Sequence, residues 1–188
     1  MIQPATIHRI SVEEYLAGEQ TAEVKHEYVN GEVYAMVGVS DRHEIIALNL
    51  ASALRSFLKG GPCQVFFGGV KVRIRIASDE RFYYPDIMVA CDPSDRDPYY
   101  RDRPLLLMEI LSPSTERIDR TEKGEVYRQI DSLQEYVLIT QDQRRVEVQR
   151  RESGWKAEVF EETGQVRLTS LDLTLDLDAI YSDSGVSD

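Results

Sequence analysis

The chain has two cysteines and three histidines, and no four of them fall at zinc-site spacing, so a structural zinc site is not expected. Cys63 and Cys91 show no C-x-x-C spacing and are expected as reduced core thiols in a cytoplasmic protein. No apolar run approaches the roughly 20 residues that span a bilayer. Residues 1–20 hold no basic segment followed by an apolar one, so neither membrane attachment nor a signal peptide is expected. Basic charge is scarce too. The chain has 22 Lys and Arg against 33 Asp and Glu, a net charge of −11, which argues against broad, nonspecific attraction to nucleic acid. A local basic patch and a bound dication would still let such a chain handle a polyanion. With 188 residues the chain is long enough for one domain with a sizeable core, set at 1–181, and residues 182–188 are expected as a disordered tail.

The chain does contain acids where acids are costly. Glu109 interrupts the run Leu105-Leu106-Leu107-Met108-Glu109-Ile110-Leu111, which reads as a strand buried on both faces. A carboxylate there must be paired, protonated or metal-bound. Asp86 opens a second apolar run, Pro85-Asp86-Ile87-Met88-Val89-Ala90. Two lone carboxylates at equivalent places on two strands point to a divalent-cation site, with Mg²⁺ or Mn²⁺ as the ion expected on oxygen ligands.

Local patterns place these residues. Ser11-Val12-Glu13-Glu14 matches a capping box and starts a helix ending near Gly18. Asn30-Gly31 joins the arms of a hairpin over 27–36. Ser40 or Asp41 caps a helix with the apolar stripe Ile46, Leu50, Ala53, Leu54 and Phe57, which leaves His43 off the stripe. Residues 65–76 read as one long strand, bulged at Gly68-Gly69, with Lys71, Arg73 and Arg75 on a basic face. Further strands are expected at 84–90, 105–111, 135–140, 145–150 and 155–160, the last two paired. Residues 92–103 are expected as a loop and 119–130 as a helix. The sum is a single α/β domain with a mixed sheet.

Side chains two apart on a strand share a face, and many metal-dependent nucleases place an acid and a lysine at that spacing. Here the lysine position holds Leu111. A cation must then come from elsewhere. Asp119, Lys123, Val126, Tyr127 and Ile130 share a helical stripe, which sends Lys123 over Glu109. Lys71 is the second candidate. Glu27 on the hairpin arm and His43 are accessory candidates, and Ser112-Pro113-Ser114-Thr115 offers hydroxyls at the end of the buried strand.

Pro85-Asp86, the string from Glu109 through Thr115, and Asp119 with Lys123 and Tyr127 resemble the Uma-type restriction endonuclease family of the PD-(D/E)XK nuclease superfamily. The likeness runs from about Val12 to Tyr181. It implies a restriction-endonuclease-like α/β fold, a central mixed β-sheet flanked by helices with an N-terminal hairpin. It also implies Mg²⁺-dependent hydrolysis of phosphodiester bonds in DNA, Asp86 and Glu109 as metal-binding acids and Lys123 as the displaced lysine; a homodimer would suit a nuclease that cuts both strands, though the sequence does not establish one. The alternative is a nuclease fold, weak or inactive in catalysis, that serves as a nucleic-acid-binding or regulatory module.

Overall fold

The computed structural model describes residues 9–186. Helix α1 (Val12–Glu19) begins at the expected capping box. The Ser11 hydroxyl accepts from the Glu14 N–H, and the Glu14 carboxylate accepts from the Ser11 N–H. Strands β1 (His26–Val29) and β2 (Glu32–Ala35) form the hairpin, and Asn30 and Gly31 take φ of 46° and 95° at its turn. Helix α2 (Asp41–Phe57) is capped by Ser40. Its buried face is His43, Ile46, Ala47, Leu50 and Leu54, so His43 belongs to the stripe and Phe57, half exposed, does not. The spacing from His43 to Ile46, Ala47 and Leu50 is the helical i, i+3, i+4, i+7, in which a polar residue holds the first place.

The expected long strand at 65–76 is two strands in two sheets: β3 (Gln64–Phe67) and β4 (Lys71–Ile76). Gly68, at φ 57°, marks a crossover rather than a bulge. Strand β5 (Asp79–Tyr83) returns beside β4. The chain then leaves that sheet at Tyr84-Pro85, where proline has no N–H to give a ladder, and enters β6 (Ile87–Ala90). Of the strand expected at 84–90, residues 87–90 form β6 and residues 84–86 are the link between the two sheets. The two crossovers lie side by side, and the Gly68 N–H donates to the Asp86 carbonyl at 3.0 Å. After β6 comes β7 (Tyr100–Arg101) inside the expected loop, then β8 (Pro104–Leu111).

The expected helix at 119–130 is shorter and composite. Helix α3 (Glu116–Ile118) runs into a π-turn at Asp119–Lys123 and then α4 (Gly124–Tyr127). Strands β9 (Glu135–Thr140), β10 (Arg145–Arg150) and β11 (Ala157–Glu161) follow, with β10 and β11 paired as expected. The hairpin β12 (Gln165–Leu168) and β13 (Leu173–Asp176) and helix α5 (Leu177–Tyr181) complete the order. Within the segment expected as tail, Ser184 is buried and its hydroxyl donates to the Tyr181 carbonyl, while residues 187–188 lie outside the described range.

The main sheet is mixed, in the order β11-β10-β9-β8-β6-β3, with β8 and β9 parallel. A second sheet is ordered β2-β1-β5-β4-β7. One face of the main sheet packs Ile87, Val89, Leu106, Met108 and Ile110 against α2, α5 and the β12–β13 hairpin. The other face turns Met88, Leu107 and Leu111 toward Val72, Ile74 and Tyr83 of the second sheet and Val126 and Tyr127 of α4. Glu109 lies between Leu107 and Leu111 in parity, so its side chain enters the space between the sheets.

Cys63 and Cys91 are joined in a disulfide, which corrects the expectation of free thiols. They flank β3 and β6. The register Gln64↔Ala90 makes them cross-strand neighbours, which their separation of 28 residues conceals. The closed loop holds both crossovers. Replacing both cysteines by serine is expected to lower stability by about 3–4 kcal/mol on chain-entropy grounds. Urea unfolding followed by Trp155 fluorescence, with and without reductant, checks this: only the parent protein should respond to reductant.

Candidate active site

Strand pairing brings the two sequence-predicted acids together. Ile87 lies opposite Met108, so Asp86, just before β6, faces Glu109 across the ladder. The Asp86 N–H reaches Glu109 Oε2 at 3.4 Å, and the Ile110 N–H donates to Asp86 Oδ2 at 2.7 Å. His43 Nε2 lies 3.1 Å from the same Oδ2. His43 is therefore buried at the N-terminal end of α2 against Asp86, neither on the surface nor in a capping role. Asp86 pulls its pKa up against the opposing effect of burial, which is the larger single influence.

Lys123 reaches the site as expected. Its Nζ lies 3.0 Å from Glu27 Oε1 and 3.4 Å from both Glu109 Oε1 and Asp119 Oδ1, with the Tyr83 ring centre 5.5 Å away. The Tyr127 hydroxyl donates to Glu109 Oε1 at 2.8 Å. Glu27 Oε1 also accepts from the Tyr84 N–H at 3.2 Å, which ties β1 to the second crossover. Glu109, Asp119, Lys123 and Tyr127 are all buried, whereas the Asp86 side chain keeps a fifth of its surface open.

Burial pushes the Glu109 carboxyl well above the usual carboxylate range. Lys123 opposes this, while Asp119, Asp86 and Glu27 add to it. Asp119 moves the same way for the same first reason. Burial pulls Lys123 down, but Glu109, Glu27 and Asp119 together overcome it and hold the ammonium well above the usual lysine value. These directions agree physically. One ammonium serves several acids, so it stays charged while the most buried acid takes a proton more readily.

Lys71 does not join this group. It is buried, not solvated. Its Nζ donates to the Tyr84 hydroxyl at 3.2 Å and sits 5.0 Å from that ring and 6.0 Å from those of Tyr15 and Tyr99. Burial lowers its pKa. The basic face expected around it is also neutralised. Strand β7 pairs with β4 and brings in Asp102, which accepts from Arg73 Nε and Nη2 at 2.7 Å each and from Arg75 at 3.2 Å.

Sequence reasoning missed two contributors, the carboxylate of Asp119 as a partner of Lys123 and the hydroxyl of Tyr127 on Glu109, whereas His43, an accessory candidate, meets Asp86. Asp119 and Tyr127 were visible on the lysine's stripe but were assigned no chemistry.

The oxygen-only donor pair Asp86–Glu109 suits a hard dication, and the exposed edge of Asp86 leaves it open to solvent. Among the described residues no group of three or more His, Cys, Asp or Glu is arranged to hold a metal ion. The pair would therefore supply two side-chain ligands and leave the other positions to water and a substrate oxygen.

Two sheets, the mixed one carrying acids at the start of β6 and within β8, define the restriction-endonuclease-like nuclease fold. The crystal structure of a putative nuclease belonging to DUF820 from Anabaena variabilis ATCC 29413 superposes with a TM-score of 0.74 at 22% identity, over 92% of this chain and 98% of that one. Residues 12–179 match the family described as "Uma2: Putative restriction endonuclease", and the chain belongs to that family. Among similar chains from Synechocystis sp. (strain ATCC 27184 / PCC 6803 / Kazusa), the uncharacterized protein slr1290 is 33% identical over 180 residues, 94% of each chain. The uncharacterized protein sll1609 is 33% identical over 150 residues, 78% of this chain and 84% of that one. No helix among the described residues is long and apolar enough to cross a membrane.

Ionising Glu109 costs more in the folded protein than in the unfolded chain. Its contribution to stability is full below the ordinary carboxylate pKa and is lost as pH rises through the raised folded value. Glu109→Gln cannot ionise, so it is expected to lose less stability than the parent as pH rises above the ordinary carboxylate range. Urea midpoints over that rise in pH check the sign, and parallel pH profiles for the two proteins would contradict it.

Proposed function

We propose that the protein is a metal-dependent endonuclease that hydrolyses phosphodiester bonds of DNA, with Asp86, Glu109 and Lys123 at its centre. The observation that carries the reading is the register that sets Asp86 opposite Glu109, with the Asp86 N–H and a buried ammonium each 3.4 Å from the Glu109 carboxylate. Family membership supports the same class of reaction. Mg²⁺ or Mn²⁺ held by Asp86 and Glu109 would polarise the scissile phosphate and lower the pKa of a bound water.

The chain's own groups do the rest. The Ile110 N–H and His43 Nε2 fix one oxygen of Asp86 and leave the other for a cation. The Tyr127 hydroxyl and Lys123 hold Glu109 Oε1, which turns Oε2 toward Asp86. Lys123 supplies positive charge where a five-coordinate phosphorus would gather negative charge, and Glu109, Glu27 and Asp119 keep that ammonium protonated. Lys123 takes the part that a lysine at position 111 would have in the superfamily pattern. DNA is the substrate we favour, approaching from the open side of Asp86, and cleavage of both strands would suit a homodimer.

Asp86→Ala and Glu109→Ala are each expected to abolish Mg²⁺-dependent nicking of plasmid DNA with the far-ultraviolet circular dichroism unchanged. Lys123→Met is expected to slow cleavage roughly 100-fold or more, whereas Lys71→Met should leave it within a few-fold. Undiminished cleavage by the Asp86 and Glu109 double variant would remove this site from the reaction. Absence of Mg²⁺ binding by the parent protein in titration calorimetry would favour the binding-module alternative.

A further inference from the structure

The helix that carries Lys123 holds one residue more than an α-helix would between its anchors. Across the π-turn the Gly124 N–H donates to the Asp119 carbonyl, five residues back. Such an insertion has poorer hydrogen-bond geometry than an α-turn and persists where its surroundings hold it. Three contacts do so. The Tyr136 hydroxyl, fully buried on β9, donates to that same Asp119 carbonyl at 2.9 Å. Gly124 allows a close approach: a Cβ there would stand 3.2 Å from the Asp119 oxygen and 3.5 Å from Tyr136 Cε1. On the outer side, Arg120 donates to both oxygens of Glu147 on β10, at 2.7 and 3.0 Å.

All three contacts act on the turn, and none touches the Lys123 ammonium. Asp119 and Lys123 stand four residues apart at the two ends of the turn, which makes their side chains neighbours. Val126 and Tyr127 anchor α4 on the sheet, and Lys123 lies just before them. A shift of the Asp119 backbone would carry with it the carboxylate, now 3.4 Å from Lys123 Nζ. Asp119 Oδ1 is buried with no hydrogen bond of its own and faces that ammonium, while the Thr115 side chain also bonds the carboxylate.

We propose that Tyr136 is a positioning residue for Lys123: its hydroxyl, bound to the Asp119 carbonyl, fixes the backbone of Asp119 and with it the carboxylate that faces the Lys123 ammonium beside Glu109. The consequence for cleavage rests on the nuclease reading; the geometry does not.

The test is Tyr136→Phe in the full chain, read in two ways. Acetylation of individual lysines by an N-hydroxysuccinimide ester is followed by peptide mass spectrometry, and Mg²⁺-dependent plasmid cleavage is measured in parallel. The expected result is a several-fold faster modification of Lys123, with Lys71, equally buried, unchanged. Cleavage is expected to fall roughly tenfold in kcat with KM unchanged. A general loosening of the core would instead expose both lysines, and that result overturns the proposal. So does unchanged Lys123 modification, even if cleavage is lost, in which case the nuclease reading stands without it. Faster Lys123 modification with no cleavage by either protein supports the positioning role and removes the nuclease reading. If Tyr136→Phe does not fold, Gly124→Ala takes its place: its Cβ would stand 3.2 Å from the Asp119 carbonyl oxygen and 3.5 Å from Tyr136 Cε1, so it presses on the same contact without touching the ammonium, and it is held to the same outcomes.

Discussion

A single buried ammonium balances the centre of this protein. Withdrawing a charged amine from water costs several kcal/mol, and only close, well-placed carboxylates offset it. Lys123 has three such acids, Glu27, Glu109 and Asp119, drawn from β1, β8 and the π-turn. The dependence is mutual. Without the ammonium, three carboxylates would face one another between two apolar sheets, beside Asp86. The second sheet, the main sheet and the helical segment are thus bound to one another by charge as well as by packing.

That convergence needs the chain to pass twice between sheets. β3 and β6 belong to the main sheet, and the β4–β5 hairpin between them belongs to the second. Gly68 and Pro85 make the two transfers, and the disulfide of Cys63 and Cys91 ties the far ends of β3 and β6. Asp86 sits at the second transfer, where its N–H reaches Glu109 across the ladder and its carbonyl holds the first transfer. There the Ile110 N–H and His43 Nε2 orient its carboxylate while a fifth of the side chain stays open to solvent, the combination the proposed metal-dependent reaction would use.

The remaining charge is spent within the fold. Arg73 and Arg75 meet Asp102, Arg120 meets Glu147, and Arg150 meets Glu135. These pairs explain how a chain with 22 basic residues shows no broad basic face along β4. For the proposed reaction they imply that attraction of a phosphate depends on the local centre and on a bound dication more than on the general field of the protein.

Much of this was legible in the residues. An acid inside an unbroken apolar run announced a buried, partnered carboxylate, because no other outcome is tolerable in a low-dielectric core. Helical spacing brought Lys123 and Tyr127 to the same side, since that arithmetic is local. The capping box and the Asn-Gly hairpin were equally local, and both formed as written. Where contacts between distant segments decide, pattern gave the wrong answer or none. The run at 65–76 alternates as one strand would, yet Gly68 lets it change sheets. Arg73 and Arg75 look free until β7 brings Asp102 beside them. The cysteines look isolated until antiparallel register pairs them. The π-turn carries no spacing signature because groups that contact it, the Tyr136 hydroxyl and the Glu147 carboxylate, lie on other strands. Residue types and short spacings thus dictated which groups had to be buried and which faces they shared. Pairing across sheets, which depends on register and loop closure between segments far apart in the chain, chose the partners that make those burials bearable.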